Sequence, residues 1–326
     1  MLPELLKLTY QKIELINKMV TLICPERKIP LAFENNAWRS ADGLSVYPVE
    51  ENVVRFLSVK DDFYEGAYLN RIHFLPGAES WWRAWPLWLI SNGYLWEVRK
   101  QFAKGSQLLE LGCASGVDYF GSRFNMIGLD ISFQSLKGLH NYKMGLQADA
   151  TKLPLPDASV DGVISSYFWE HIPPPVKELM LQEFKRVLKP GGKIVFLYDV
   201  TTNNTVVNLI KKNDINRYNE LFLDGDGHFG YETPIENKAR FIKAGYKVIT
   251  HFGMERTCLQ SNSVFEKLRH LNGFAGFVGK LGYAISAGRI KGYLYTFFVR
   301  LTDETWGRLL GISKSRIIIS VLQVKK

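Results

Sequence analysis

Residues 108–116 read Leu-Leu-Glu-Leu-Gly-Cys-Ala-Ser-Gly, and residues 128–132 read Gly-Leu-Asp-Ile-Ser. The apolar run ending at Glu110-Leu111 predicts a buried parallel strand. Gly112, Ala114 and Gly116 then form a tight turn in which a bulky side chain would block a ligand. The next predicted strand, Met126 to Leu129, ends in Asp130, a carboxylate placed to hold two vicinal hydroxyls. A small-residue turn with an acid after the following strand is the chemistry of an adenosine-ribose site. Dinucleotide and adenosyl ligands both use it.

Three later segments separate those two ligands. Residues 147–164 place Asp149 after a third short strand and Asp161 at the start of a fourth. Glu170-His171-Ile172 follows that fourth strand. A helix over Val176 to Leu188 then places Val176, Leu179, Met180, Phe184, Val187 and Leu188 on one face. Arg186-Val-Leu-Lys-Pro-Gly-Gly-Lys193 ends it and opens the apolar strand Ile194 to Leu197. In this order and spacing the chain resembles the class I S-adenosylmethionine-dependent methyltransferases of type 11, the group that includes the quinone-biosynthesis methyltransferases. The resemblance covers residues 105–254 and returns at 315–325. It implies an α/β fold: a Rossmann-like seven-stranded sheet with an N-terminal extension (1–104) and, within a methyltransferase domain at 105–326, a helical insertion at 258–312 before the last strand.

The resemblance also implies S-adenosylmethionine as cofactor and assigns its contacts. Backbone from Gly112 through Cys113, Ala114, Ser115 and Gly116 approaches the amino-acid part, with Glu110 supporting the loop or accepting from the ammonium. Asp130 binds the ribose hydroxyls and Ile131 lines the adenine. Asp149 accepts from the exocyclic amine beside Ala150, and Ser165, Ser166 and Tyr167 flank the methyl group. A segment ahead of the glycine turn folds over the cofactor in similar enzymes, and Tyr68 is its aromatic candidate, with packing at the domain edge as the alternative.

Bulk properties bound the remaining options. A chain of 326 residues is ample for a core-forming domain with additions. Its 46% hydrophobic and 22% charged content is that of a globular protein and excludes a disordered one. No run reaches the roughly 18 apolar residues needed to span a bilayer. Residues 2–23 carry Glu4, Lys7, Lys12, Glu14 and Lys18, which suits an amphipathic helix better than a signal peptide. Cys24, Cys113 and Cys258 are too few and too widely spaced for a disulfide framework, and a cytoplasmic location fits. Residues 255–326 hold 12 Lys+Arg against 4 Asp+Glu, which accounts for +8 of the net +9. Such a surface either is simply solvated or faces an anionic partner: a membrane, a lipid-linked or phosphorylated substrate, or less favourably a nucleic acid.

Two segments flank this core reading. Residues 24–56 resemble the small zinc-ribbon-like module that precedes some methyltransferase domains, but only Cys24 remains, with Arg27, Arg39 and Asp42 where thiolates would stand. Arginine is no zinc ligand, so no metal site is expected there. Nor does Asp224-Gly-Asp226-Gly-His228 make a calcium loop, because Phe229 and Ile235 replace the required Gly and Glu. The insertion is basic and aromatic, with Gly273, Gly276, Gly279 and Gly282 recurring every third residue. It reads as a substrate lid or interfacial surface, or as a cap whose apolar face packs on the core.

For a hydroxyl acceptor a base helps, and His171 and His228 are the candidates, His171 having a structural alternative. Ser165-Ser166-Tyr167-Phe168 lacks both prolines of the motif that amino-group methyltransferases acting on bases or glutamine carry after the fourth strand. That argues against methylation of an exocyclic amine of DNA and leaves oxygen, carbon and other nitrogen acceptors open. The expected acceptor is a small molecule methylated on oxygen, of glycan, lipid-linked or natural-product type. An RNA methyltransferase and a non-catalytic cofactor-binding relative are the alternatives.

Overall fold

The computed structural model describes residues 20–57 and 86–325. Tyr68, the 2–23 helix up to residue 19 and the aromatic cluster at 81–85 lie outside the described residues. Among the described residues eleven strands form one sheet in the order β1-β2-β3-β4-β7-β6-β5-β8-β9-β11-β10. The first four are β1 (Leu31–Glu34), β2 (Ala37–Ser40), β3 (Val46–Glu50) and β4 (Val53–Arg55). The remainder are β5 (Gln107–Leu111), β6 (Asn125–Asp130), β7 (Met144–Gln147), β8 (Val160–Ser166), β9 (Leu188–Asp199), β10 (Tyr246–Met254) and β11 (Ile317–Val324). Strands β7, β6, β5, β8 and β9 run parallel. Strand β11 is antiparallel to both β9 and β10. This is the doubly wound α/β arrangement expected from the sequence. Its strands are buried on both faces, which is why they read as continuous apolar runs.

The sheet exceeds the expected seven strands because the N-terminal segment continues it. Strand β4 pairs in parallel with β7, Val54 beside Leu146. Leu22, Cys24, Leu31, Trp38 and Val54 enter the same core as Leu109, Ile127 and Phe196. Arg27 ties the turn after Cys24 to the loop between β2 and β3. Its guanidinium donates to Asp42 at 2.5 Å and to Ser40 and Ser45 at 2.9 Å, and its amide donates to the Cys24 sulfur.

Short helices fill the crossovers. The turn after β5 leads into α1 (Asp118–Arg123), only 6 residues because 13 separate Gly116 from Asp130. Helix α2 (Pro174–Val187) follows the apolar periodicity, with one correction: Leu179 is 53% exposed while Leu181 and Lys177 are buried. Lys177 tolerates full burial because its ammonium donates to Glu232 and to the Gly230 carbonyl, both at 2.7 Å. Pro190-Gly191-Gly192 does not precede β9 but lies inside it as an irregular stretch: Val160 pairs with Leu188 and Gly162 with Lys193.

Between β10 and β11 lie α3 (Asn262–Leu268), α4 (Gly273–Ser286) and α5 (Arg289–Glu304). Helix α4 turns Gly276, Gly279 and Gly282 inward, and a Cβ at Gly282 would stand 2.2 Å from the Phe265 ring. Phe274 and Phe277 of this helix point outward, while the three glycines, Ala275 and the partly buried Val278 and Tyr283 make the contact with the protein.

Because β1–β4 share the core, Trp38→Ala should cost the whole molecule about 3–5 kcal/mol in one transition. Denaturant unfolding followed by circular dichroism would show two transitions if the segment folded on its own.

Candidate functional site

In the parallel part of the sheet the chain runs outward from β5 to β6 and β7, then returns across β5 to β8 and β9. The crevice outside the carboxyl ends of β5 and β8 is therefore the topological switch point, where ligands bind in such sheets. Glu110–Gly116, Asp130–Ile131, Asp149–Ala150 and Ser165–Tyr167 all lie at that edge, because each follows or ends a parallel strand.

The turn after β5 is held by its neighbours. Gly112 and Gly116 have φ of +59° and +78°, which a side chain would strain. A Cβ at Gly112 would also meet the Phe168 ring at 2.6 Å. Both glycines are thus required by the protein's own packing as well as by any ligand. Ala114 adopts φ +46°, and its amide donates to Asp130 Oδ2 at 3.0 Å. The other Asp130 oxygen accepts from the Ser132 amide at 2.9 Å. One carboxylate therefore ties the turn to the end of β6 and is oriented before any ligand arrives.

Glu110 is buried and accepts from the Tyr142 hydroxyl, which in turn accepts from the Val117 amide at 3.0 Å. This chain of bonds links Glu110 to the backbone just after the turn. Burial pushes its carboxyl up to about 8, against the downward pull of Tyr142. Cys113 buries its side chain against Gly128, leaving its backbone for the turn. Ser115 is partly exposed.

Ile131 is 37% exposed directly after Asp130, an apolar surface suited to a flat base. The exposed Asp149 carboxylate accepts the Thr151 amide on one oxygen, and Ala150 is buried beside it. Ser165 is buried with an Oγ that has no partner among the described residues, and Ser166 is partly exposed. Tyr167 has φ +53°, and its hydroxyl accepts from Asn92 Nδ2 at 3.0 Å. A buried hydroxyl without a partner, an exposed apolar side chain and a preoriented carboxylate along one strand edge fit an adenosyl ligand.

Beyond β8 lie Glu170, His171 and His228. Their potential ligand atoms stand within 4.8 Å of one another, so the trio could hold a divalent cation that the sequence reading did not foresee. His171 Nδ1 donates to the Gly227 carbonyl at 2.9 Å, and burial lowers its pKa. His228 stacks on Tyr231 with ring centroids 4.9 Å apart, and its Nδ1 has no partner among the described residues. Burial first, and His171 second, press His228 down to about 3, so it is neutral at physiological pH.

Sequence reasoning missed the neighbouring cavity of about 470 Å³. It is lined by Ser91, Asn92, Glu255, Tyr283, Tyr293 and Tyr295 among others. Asn92 joins it to Tyr167, while Glu255 joins it to Arg316 through contacts of 2.7 and 3.0 Å. Arg316 also reaches Asp199 at 3.1 Å. These residues are far apart in the chain, and Ser91 and Asn92 reach positive φ without being glycine. The aromatic insertion was the one available signal.

Residues 109–196 match a family model described as a methyltransferase domain. A phosphatidylethanolamine N-methyltransferase of Cereibacter sphaeroides is 29% identical over 106 residues, 29% of this chain and 51% of that protein. A demethylmenaquinone methyltransferase of Clavibacter sepedonicus is 32% identical over 120 residues, 32% of this chain and 48% of its own. The chain thus spans about half the length of the curated relatives it matches. A solved structure of a SAM dependent methyltransferase from Archaeoglobus fulgidus is 19% identical over 70% of this chain and 90% of that one, with a TM-score of 0.44.

The buried Glu110 carboxyl generates a pH test. Held near 8 when folded and in its ordinary range when unfolded, it contributes stability that is complete below about 4.5 and lost as pH rises through about 8. Glu110→Gln should therefore gain on wild type by on the order of 3–4 kcal/mol between pH 5 and pH 9. Urea unfolding at both values checks this, and an unchanged difference would refute it.

Proposed function

We propose that the chain is an S-adenosylmethionine-dependent methyltransferase that methylates a small-molecule acceptor on oxygen, the acceptor being of glycan, lipid-linked or natural-product type. The observation that carries this reading is the preoriented Asp130 carboxylate at the switch point, tied to the turn of a segment that matches a methyltransferase domain. When bound, the cofactor supplies an electrophilic methyl group on a sulfonium. Asp130 accepts the two ribose hydroxyls, Ile131 packs on the adenine, and Asp149 accepts from its amino group. Backbone from Gly112 to Gly116 receives the amino-acid end, and Ser165, Ser166 and Tyr167 border the reacting carbon.

The acceptor occupies the cavity under the insertion, where Tyr283, Tyr293 and Tyr295 cover its apolar part and Asn92 and Glu255 address polar groups. Aligning the acceptor with the methyl group supplies most of the rate in such a displacement. The acceptor proton passes to an imidazole. His228 suits this better than His171, because its Nδ1 has no partner among the described residues. A base of low pKa suffices, since an alkylated hydroxyl oxygen is a far stronger acid than imidazolium. The reaction takes place in the cytoplasm, and the acceptor is drawn from an anionic membrane surface when it is lipid-linked.

Calorimetry should show binding of both S-adenosylmethionine and S-adenosylhomocysteine. Asp130→Ala should weaken each by about 1.5–3 kcal/mol through the lost charge-assisted hydrogen bonds. Folded wild type that binds neither ligand would remove the reading. With an acceptor in hand, His228→Ala should lower kcat by about 10²-fold or more with the cofactor affinity unchanged.

A further inference from the structure

Helices α4 and α5 each present a row of large apolar side chains to the outside. On α4, Phe274, Phe277, Leu281 and Ile285 are 48–69% exposed along one face, while Gly276, Gly279 and Gly282 face the protein. On α5, Ile290, Tyr293, Leu294, Phe297, Phe298 and Leu301 recur at helical spacing and are all exposed. Its opposite face buries charge: Arg300 pairs with Glu304 at 2.8 Å, and Asp303 accepts the Glu255 and Arg256 amides at 2.7 and 3.1 Å. Trp306, Leu309 and Leu310 extend the apolar surface by one more turn, the first two being 76% and 87% exposed. An exposed apolar area of this extent marks an interaction site on a soluble fold.

Charge selects the partner. No Asp or Glu occurs from residue 267 to residue 302, and Lys280, Lys291 and Arg308 stand exposed among the apolar side chains. A second copy of the chain, docked symmetrically, would set these cations against themselves, because the only acids of the two helices, Asp303 and Glu304, are engaged on the protein-facing side of α5 with the Glu255 and Arg256 amides and with Arg300. RNA would use the cations and leave the aliphatic and aromatic side chains in water. We propose that the outward faces of α4 and α5, with Trp306, Leu309 and Leu310, dock on an anionic lipid bilayer, the apolar side chains entering the acyl boundary and the cations meeting the headgroups. Among the described residues no helix is long and apolar enough to cross a membrane, so the two helices lie in the interface. Tyr293 belongs both to this face and to the wall of the 470 Å³ cavity. Docking therefore sets the cavity against the bilayer. That the acceptor is a bilayer-borne molecule rests on the methyltransferase reading, whereas the docking does not.

The test is co-sedimentation of the full chain with vesicles of phosphatidylcholine alone and of phosphatidylcholine with 30% phosphatidylglycerol, at moderate salt. Wild type should bind the anionic vesicles and bind the neutral ones at least tenfold more weakly. Phe277→Ser with Phe298→Ser should weaken anionic binding at least tenfold, and Lys280→Glu with Lys291→Glu roughly fivefold per position. All variants should keep the wild-type melting temperature, since these side chains are exposed. No binding to anionic vesicles at low salt would overturn the proposal, as would binding indifferent to the two phenylalanines. Tight RNA binding in place of vesicle binding would overturn it equally. S-adenosylhomocysteine affinity, measured on the same samples, separates the two readings. Vesicle binding without it removes the enzyme and leaves the docking face; the converse removes only the docking face.

Discussion

One carboxylate fixes the working edge of this sheet. Asp130 accepts the Ala114 amide on one oxygen and the Ser132 amide on the other, so the turn after β5 and the end of β6 share a single anchor. Both bonds are charge-assisted, which makes them about twice as strong as neutral ones. The positive φ values at Gly112, Ala114 and Gly116 persist because this anchor and the packing of Phe168, Leu139 and Tyr142 leave the turn no other course. The N-terminal strands reach the same place. Arg55 donates to the Gln147 side chain at 2.9 Å, and the Gln147 amide donates to the Ile131 carbonyl at 3.1 Å. The segment that continues the sheet thereby braces the residue next to Asp130.

The other end of the crevice depends on a buried cation. Arg316 engages Glu255 and Asp199 and also reaches Ser261, so the end of β9 and two residues of the cavity wall converge on one guanidinium. Burial pushes the Asp199 carboxyl up to about 6, and Arg316 works against that. Removing the arginine would leave two buried acids facing each other, a far greater loss than the pair itself is worth. The two ends of the site thus use opposite electrostatics, backbone dipoles around an anion at Asp130 and acids around a cation at Arg316.

Local chain order explains what could be read from the sequence. The parallel strands, the short helix after Gly116 and the placing of Asp130 and Asp149 at strand ends follow from apolar runs punctuated by small residues and acids. Helix α2 was legible in extent but not wholly in orientation. Periodicity put Leu179 on the core face, whereas Lys177 occupies it because Glu232, 55 residues later, supplies a partner. The cavity was illegible for the same reason: Asn92, Glu255 and Tyr283 meet only in three dimensions. The insertion shows a third kind of failure. Its sequence displays an apolar stripe plainly, but a stripe does not say which side of the helix is turned to the protein.

The glycine spacing of α4 settles that side, and its consequence extends to what substitutions the helix accepts. At Gly279 a Cβ would stand 2.3 Å from the Arg269 backbone nitrogen, and at Gly276 it would stand 2.0 Å from the Leu271 carbonyl oxygen. No rotation about the helix axis can bring Phe274 or Phe277 inward without separating α4 from α3 altogether. The usual tolerance of a surface helix is therefore inverted. Its most exposed, bulkiest positions are free to vary as far as folding is concerned, and its smallest residues are the ones that folding holds fixed.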